Sequence, residues 1–197
     1  IYEQADCAKC HGSYKKAWQL PHAGQLSLSE QLKTIEVDYP EQTPVKDVGT
    51  DPHRHQMMSS LIQLNDLAIS KKHNIVLMVQ DGYVPPPLVG IWARWPYLHN
   101  NSIPNLCALF TPPAQRPVTY YSGEALDPDR DFDFECNGYP LGEATPEHWK
   151  TEEHLFDTRK KGLANTGHYK KQFLDEQGNE KYGREDKLAL IHYLQTL

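Results

Sequence analysis

The stretch Cys7-Ala8-Lys9-Cys10-His11 decides how the rest of the chain is interpreted. It has the C-x-x-C-H pattern of c-type haem attachment. Two thiols three positions apart can add to the two vinyl groups on one porphyrin edge, and the adjoining histidine then reaches the iron as its proximal ligand. The pattern therefore predicts a covalently held haem c, attached through Cys7 and Cys10, with His11 on the iron.

A zinc site and a redox dithiol are the alternatives for the same cysteines. A zinc site normally needs a second close Cys or His pair, and Cys107 and Cys136 are too far apart to supply one. A thioredoxin-like dithiol should follow a buried strand, whereas residues 2–6 are polar and helical in character. Both alternatives are weaker than haem attachment. Because the chain has one C-x-x-C-H, we expect one haem.

Length and composition limit the number of domains and the size of the hydrophobic core. The 197 residues leave room for one domain, 1–197. Only 39% of them are hydrophobic, against a usual share of roughly 45–50%, and the 15 Pro and 12 Gly predict much irregular chain. We therefore expect a bound group to complete the core.

Charge and hydropathy exclude two classes of partner. The net charge is −6 and there is no dense basic run, so the chain lacks the electrostatic character of a nucleic-acid-binding protein. The longest apolar stretch, Ile75 to Val79, is far short of the ~20 residues that span a membrane. Covalent haem attachment predicts a periplasmic or otherwise exported bacterial protein. Since no basic-then-apolar leader precedes the motif, we expect that an export signal has been removed or lies outside this sequence.

Two cysteines, Cys107 and Cys136, remain outside the haem motif. In an oxidising compartment such cysteines tend to pair, and we expect a disulfide. Two independent buried thiols are the alternative.

Local patterns predict several elements. Ser27 and Glu30 have capping-box spacing and predict a helix of about two turns. Asp51-Pro52 starts a segment whose apolar residues, Met57 to Ala68, recur with helical spacing, so we expect one amphipathic helix there. A short helix is expected from Pro104.

Beyond this helix, we expect a short strand over 118–121 within a long loop insertion at about 111–180, wrapped around a bound group. A final helix begins with acidic residues and should pack on the N-terminal segment. Its apolar stripe consists of Leu188, Ile191, Leu194 and Leu197.

Several segments together resemble a known family. The first carries the haem motif, and the most specific is Pro87-Leu88-Val89-Gly90-Ile91-Trp92-Ala93-Arg94-Trp95-Pro96-Tyr97-Leu98-His99-Asn100-Asn101-Ser102-Ile103-Pro104. Further matches are Gly49–Pro52, Arg116–Pro117 to Asp127–Pro128, Gly162–His168 and the closing helix. The chain resembles the C-terminal haem domain of bacterial rubber oxygenases and their di-haem cytochrome c peroxidase-like relatives. Patterns and resemblance together predict a mainly α, cytochrome c-like haem domain with long irregular loop insertions and little β.

The resemblance implies that the Gly167-His168 pair supplies the distal imidazole, so His11 and His168 are the expected iron ligands. Met57 and Met58 are the alternative ligands, although their apolar helix face is more typical of core. Two departures concern the haem edge: Asn101 stands where the family usually has Gly, and Arg94-Trp95 replaces smaller residues.

Four side chains of the family signature are candidates for contacts with the porphyrin. Trp92 and Trp95 are expected as a wall at the haem edge, and His99 is expected to pack near the porphyrin. Arg94 is the candidate partner of a propionate, because guanidinium groups form charge-assisted hydrogen bonds with carboxylates.

Two functional classes follow. The first is a c-type cytochrome domain that transfers single electrons, and the second is a peroxidase-like or oxygenase-like enzyme with an open sixth iron site. The family's C-terminal haem resembles an electron-transfer centre, which favours the first class. The sequence leaves open that the domain relays electrons within a larger multi-haem protein or complex. The expected partner is a redox protein or another haem domain.

Overall fold

The computed structural model describes residues 1–15, 23–39 and 45–197. In this part of the chain helical elements outnumber strands, in agreement with the predicted mainly α class. The α-helices are α1 (Leu28–Lys33), α2 (His53–Met57), α3 (Ala68–His73), α4 (Leu106–Leu109), α5 (Lys170–Phe173) and α6 (Arg184–Leu194). Single 3-10 turns lie at Cys7–Lys9, Ala23–Gln25, Ile91–Ala93, Pro113–Gln115, Gly142–Ala144 and Glu147–Trp149, and a longer 3-10 segment lies at Met58–Asp66.

The strands form two small antiparallel pairs. Strand β1 (Ser13–Lys15) pairs with β2 (Glu36–Asp38), and β3 (Thr119–Tyr121) pairs with β4 (Leu155–Asp157). Strand β3 lies within the predicted strand at 118–121, which confirms that expectation. The pairing of β3 with β4 joins two distant parts of the irregular segment 111–180.

Helices α4 and α6 form the centre of the hydrophobic core. Asn105 caps α4 by accepting a backbone hydrogen bond in its first turn. The predicted apolar stripe is confirmed, since Ile191 and Leu194 on α6 and Leu197 just beyond its end are buried. Full burial of each such side chain contributes about 1.5–3 kcal/mol. They share one cluster with Ile103, Leu106, Leu109, Phe110 and Phe173.

The N-terminal segment packs on α6, as predicted. The rings of Tyr2 and Tyr193 lie 5.1 Å apart, and Ile1 packs against the core cluster. Residues 2–6 form consecutive turns and lead into the 3-10 turn Cys7–Lys9. This packing holds the cysteine motif against the end of the core.

The capping box at Ser27 and Glu30 is present and begins α1, but the single helix expected over 51–68 is wrong. The chain instead forms α2, the 3-10 segment Met58–Asp66, an extended residue at Leu67, and α3. A 3-10 helix has about 3.0 residues per turn, so side chains at i and i+4 no longer share one face. Met58, Leu61 and Leu64 of the 3-10 segment are all exposed, as is Met57 at the end of α2 (69%).

The region 111–180 is mostly irregular, as predicted. Apart from β3, β4 and α5, it contains three 3-10 turns, at Pro113–Gln115, Gly142–Ala144 and Glu147–Trp149. Within the described residues no helix is both long and apolar enough to cross a membrane.

A disulfide joins Cys107 on α4 to Cys136, which confirms the predicted pairing. The backbone N–H of Leu106 also donates to the carbonyl of Cys136 (2.8 Å). Together these two bonds attach the loop around 132–139 to the core.

We expect the Cys107→Ala/Cys136→Ala double variant to lose stability. The bond closes a loop with a sequence separation of 29, and a crosslink of this size contributes about 3–4 kcal/mol by restricting the unfolded chain. Urea unfolding of the oxidised parent and the double variant measures the difference. Equal free energies of unfolding, or two thiols that alkylate in the unreduced parent after denaturation, would contradict the prediction.

Candidate functional site

A cavity of about 460 Å³ opens beside the cysteine motif. This volume lies within the range of about 300–1,000 Å³ that is usual for cofactor and ligand sites. Cys7, Cys10, His11 and His168 all line it, so the four residues predicted to hold the haem meet in one place. The cysteines are not joined to each other, and both keep free thiols for attachment. The apolar part of the wall comprises Leu88, Ile91, Leu106, Leu109, Phe110 and Leu194.

The proline run 85–87 orients His11. A polyproline segment has no internal hydrogen bonds, so its carbonyls are free to accept from side chains. The Nδ1 atom of His11 lies 2.8 Å from the Pro86 carbonyl oxygen. A hydrogen bond from Nδ1–H to this oxygen leaves Nε2 unprotonated and free to bind a metal. The neighbouring carbonyl of Pro87 accepts from Arg94 (2.6 Å).

Arg116 anchors one side of the loop that carries His168. Its side chain is buried, and its guanidinium donates to the backbone carbonyls of Leu109, Thr111 and Asn165. Burial lowers the pKa of Arg116 to about 10, which still leaves it charged at neutral pH. The bond to Asn165 is 2.5 Å long, and the bond to the Leu109 carbonyl (2.9 Å) links the same guanidinium to the end of α4.

Asp51 and Asn100 anchor the other side of the same loop. The buried Asp51 carboxylate accepts from the N–H of Ala164 (3.1 Å) and from the N–H of His53 (2.8 Å). The Asn100 amide donates to the Ala164 carbonyl (3.0 Å). The family signature and the Gly49–Pro52 segment therefore both hold the histidine loop in place.

Close backbone packing completes the positioning of His168. The His168 N–H donates to the Val48 carbonyl (2.7 Å). Gly167 has a φ of +76°, and a Cβ atom there would lie 2.2 Å from the carbonyl carbon of Gly49. Only glycine allows both this conformation and this contact. The two glycines bring the loop against residues 48–50 and turn the His168 ring into the cavity.

His11 and His168 face each other across the cavity, with ring centres 6.0 Å apart. An iron atom between the two rings would form one bond of about 2 Å to a nitrogen of each ring, and each nitrogen lies about 1 Å from its ring centre. The two ring centres would then be about 6 Å apart, which matches the observed separation. Burial lowers the pKa of His11, and burial together with the neighbouring His11 lowers the pKa of His168 to about 4. Both imidazoles are therefore neutral at pH 7, which is the form that binds metals.

Three cationic side chains, Lys46, Arg54 and Arg94, also line the cavity. Among the described residues, none of the three lies within ion-pair distance of a carboxylate. Arg54 donates to the His99 carbonyl (3.3 Å), which orients its guanidinium. Positive charge without a protein counter-ion fits a ligand that brings its own carboxylates, as haem propionates do.

His99 and Tyr83 form a stacked pair in the cavity wall. Their ring centres are 3.8 Å apart, and the Tyr83 hydroxyl donates to the Asp51 carbonyl (2.8 Å). The Nε2 atom of His99 is buried and has no hydrogen-bond partner in the part of the chain that the structure describes. Burial lowers the pKa of His99. Its free polar atom fits a contact with a bound group. The His55 ring also meets the Tyr83 ring, with centres 5.3 Å apart.

The donors, the two imidazoles and the cations around this cavity fit a haem. The Nδ1 atom of His168 is also buried without a described partner, as expected for a side chain whose role is to meet a bound group. Burial raises the pKa of the Cys7 thiol to about 11, so the unmodified side chain is a neutral thiol.

Trp92 and Trp95 lie elsewhere. They line a second cavity on the opposite side of the segment 91–96, whereas Ile91, Arg94 and Pro96 of that segment face the first. Within the 3-10 turn Ile91–Ala93, Ile91 lines the first cavity and Trp92 lines the second, which the sequence pattern does not reveal. Neither tryptophan lines the cavity that the cysteines share, so the expected tryptophan wall at the haem edge is corrected.

The methionine alternatives are also away from the cavity. Met57 and Met58 are 69% and 43% exposed, and neither lines it.

The backbone at Asn101 explains one departure from the family pattern. Its φ is +59°, in the left-handed region where glycine is favoured. Asparagine tolerates this region better than most other residues. The exchange of Gly for Asn therefore keeps the turn, and the Asn101 carbonyl accepts from the Tyr120 hydroxyl (2.6 Å).

Sequence reasoning missed Lys46, Arg54, Tyr83 and Pro86 as site residues. The signal for Pro86 was present, because a run of three prolines leaves several carbonyls without backbone donors. The other three reach the cavity only through tertiary packing.

Residues 82–121 match the family described as RoxA-like, cytochrome c-like. This segment contains the signature from Pro87 to Pro104, and the match confirms the resemblance seen in the sequence. Over these residues the chain is similar to a cytochrome c-like domain, a kind of domain that implies a haem cofactor.

Two curated relatives come from Sinorhizobium fredii. Uncharacterized protein y4iJ is 39% identical over 119 residues, which cover 58% of this chain and 18% of that protein. Uncharacterized protein y4iM is 38% identical over 124 residues, which cover 58% of this chain and 27% of that protein. The chain thus spans much less than half the length of these relatives. No solved structure matches it.

Proposed function

We propose that this chain is a c-type cytochrome domain that carries one covalent haem and transfers single electrons. Cys7 and Cys10 would hold the porphyrin, and His11 and His168 would bind its iron. The observation that carries the proposal is the placement of the His11 and His168 rings 6.0 Å apart across a cavity that both free cysteines line.

When bound, the haem supplies an iron that gains and loses one electron. The chain's own residues supply position and environment. The Pro86 carbonyl orients His11, and the loop anchored by Arg116, Asp51 and Asn100 holds His168 in place. A ligand held by a rigid frame changes little between oxidation states, which favours electron transfer over substrate binding at the iron.

The wall residues set the haem's surroundings. The apolar side chains, including Leu106 and Phe110, exclude water from one side of the cavity. Lys46, Arg54 and Arg94 give the cavity positive charge that would pair with the carboxylates of a bound haem. Axial-ligand identity, burial and hydrogen bonding are the features by which a protein sets the potential of a haem. Two imidazoles predict a lower potential than His/Met ligation.

The proposal extends to the whole protein. The domain spans 1–197, works in the periplasm or another exported location, and exchanges electrons with a redox protein or with another haem domain of a longer chain. Its small share of the length of the two relatives supports the last option.

Production with haem-attachment machinery, followed by acid–acetone extraction and absorption spectroscopy, tests this function. We expect one haem to stay with each chain after extraction, because thioether bonds resist the solvent. The reduced spectrum should not change under carbon monoxide, since His168 closes the sixth position. Haem that is extracted contradicts covalent attachment. A large spectral change under carbon monoxide supports the peroxidase-like or oxygenase-like alternative instead.

A further inference from the structure

The second cavity, of about 490 Å³, is lined by aromatic side chains and shares no lining residue with the first. Its four rings belong to Trp92, Trp95, Phe132 and Phe134. The Trp95 and Phe132 ring centres are 4.7 Å apart, and the Phe132 and Phe134 rings meet edge to face at 84°. The aromatic rings are therefore inclined to one another around the cavity.

Two of these rings are strongly exposed. Trp92 is 50% exposed and Phe134 is 62% exposed. Large aromatic side chains contribute most to stability when they are buried, so exposed rings grouped around one cavity indicate a binding role.

The polar groups in the cavity wall are already engaged. The amide nitrogen of Asn137 donates to the Trp92 carbonyl (2.9 Å) and to the Tyr97 hydroxyl (2.6 Å). The amide nitrogen of Gln195 donates to the Phe134 carbonyl (2.7 Å) and to the Asn137 amide oxygen (3.2 Å). A ligand group that needs several hydrogen bonds would find few free partners here. A group without polar hydrogens needs no such bonds, so it would leave none of its own groups unpaired in this cavity.

The loop that supplies two of the rings is strongly acidic. Residues 124–135 contain six carboxylates and one arginine. Arg130 is paired with Asp127 (2.6 Å), and Glu135 is paired with Arg184 (2.9 Å). The excess negative charge around the rings attracts a cation and repels an anion.

We propose that this aromatic cavity binds a quaternary ammonium group. Aromatic faces attract cations through their negative quadrupole, with tryptophan the strongest, and fully methylated ammonium needs no hydrogen bonds. The four rings, the engaged amides and the acidic loop all favour this class of ligand. The disulfide between Cys107 and Cys136 holds the end of the loop against α4 and so keeps the cavity formed. The proposal does not depend on the haem.

Isothermal titration of the full chain with choline tests the proposal, and 3,3-dimethyl-1-butanol is the matched probe because it has the same shape without the charge. We expect choline to bind and the neutral probe to bind at least about tenfold more weakly. Equal affinity for the two probes, or no binding of choline, overturns the proposal. A lysine side chain of a partner shares part of this chemistry, so N-acetyl-lysine amide is titrated as well. Binding of that primary ammonium as tightly as choline also overturns it.

Variants locate the binding site. Trp92→Ala and Phe134→Ala should each weaken choline about tenfold, and because both side chains are exposed, their loss should leave the fold intact. Leu126→Ala is the matched control, since Leu126 is 71% exposed in the same loop but does not line the cavity. Unchanged affinity in both aromatic variants, or an equal loss in Leu126→Ala, contradicts the assignment.

Discussion

A His168→Ala variant of the haem-loaded chain should bind carbon monoxide in its reduced form, whereas the parent should not. The substitution removes the imidazole that faces His11 across the cavity at 6.0 Å. Among the described residues, no methionine lines the cavity and could replace it. The ferric spectrum should change from low spin to mainly high spin. The haem should stay attached, because Cys7 and Cys10 are unchanged. Absorption spectra of both oxidation states, with and without carbon monoxide, measure the effect.

His73→Ala is the control for loss of a histidine elsewhere, since His73 is exposed at the end of α3. It should leave every spectrum as in the parent. An unchanged spectrum in His168→Ala would falsify the ligand assignment. So would a near-infrared sulfur-to-iron band in the parent that disappears in Met57→Ala or Met58→Ala, because that band marks His/Met ligation.

Gly167→Ala should displace the same ligand without removing it. A Cβ atom at Gly167 would lie 2.2 Å from the Gly49 carbonyl carbon and 2.3 Å from the Thr50 nitrogen, and both are backbone atoms. The left-handed φ adds about 1–2 kcal/mol of strain, and the overpacking adds about 1–3 kcal/mol. We therefore expect a loss of about 2–5 kcal/mol in the free energy of unfolding and partial opening of the sixth iron position.

Gly142→Ala provides a close comparison for this variant. Gly142 also has a positive φ, +63°, but a Cβ atom there would meet nothing within 4 Å. Its variant should lose only about 1–2 kcal/mol and keep the parent spectrum. Urea unfolding and carbon monoxide titration of both variants separate backbone strain from the contact with Gly49 and Thr50. Equal behaviour of the two variants would show that the close approach does not position His168.

The elements that sequence reasoning located correctly are those whose causes are local. The capping box of α1 needs only Ser27 and Glu30, and the stripe on α6 depends on spacing within one helix. The segment 51–68 has similar spacing, yet most of its middle forms a 3-10 segment. An apolar stripe stabilises an α-helix mainly when it packs against a hydrophobic core. The apolar side chains of 51–68 remain exposed.

By itself, the sequence determined the haem motif at Cys7, Cys10 and His11, because thiol and imidazole spacing within five residues is a local property. The tertiary structure decided which residues meet that motif. It brings His168 to face His11 through anchors on Arg116, Asp51 and Asn100.

The tertiary structure also separates the side chains of one short segment. Arg94 faces the cavity lined by the cysteines, while Trp92 and Trp95 face the aromatic cavity behind it. The direction of these side chains depends on backbone contacts between distant segments. Hydrophobic periodicity predicts side-chain direction only in regular helices and strands, and this segment is irregular. The sequence therefore predicted the attachment of a haem, and only the folded chain showed which residues line the cavity beside the cysteine motif.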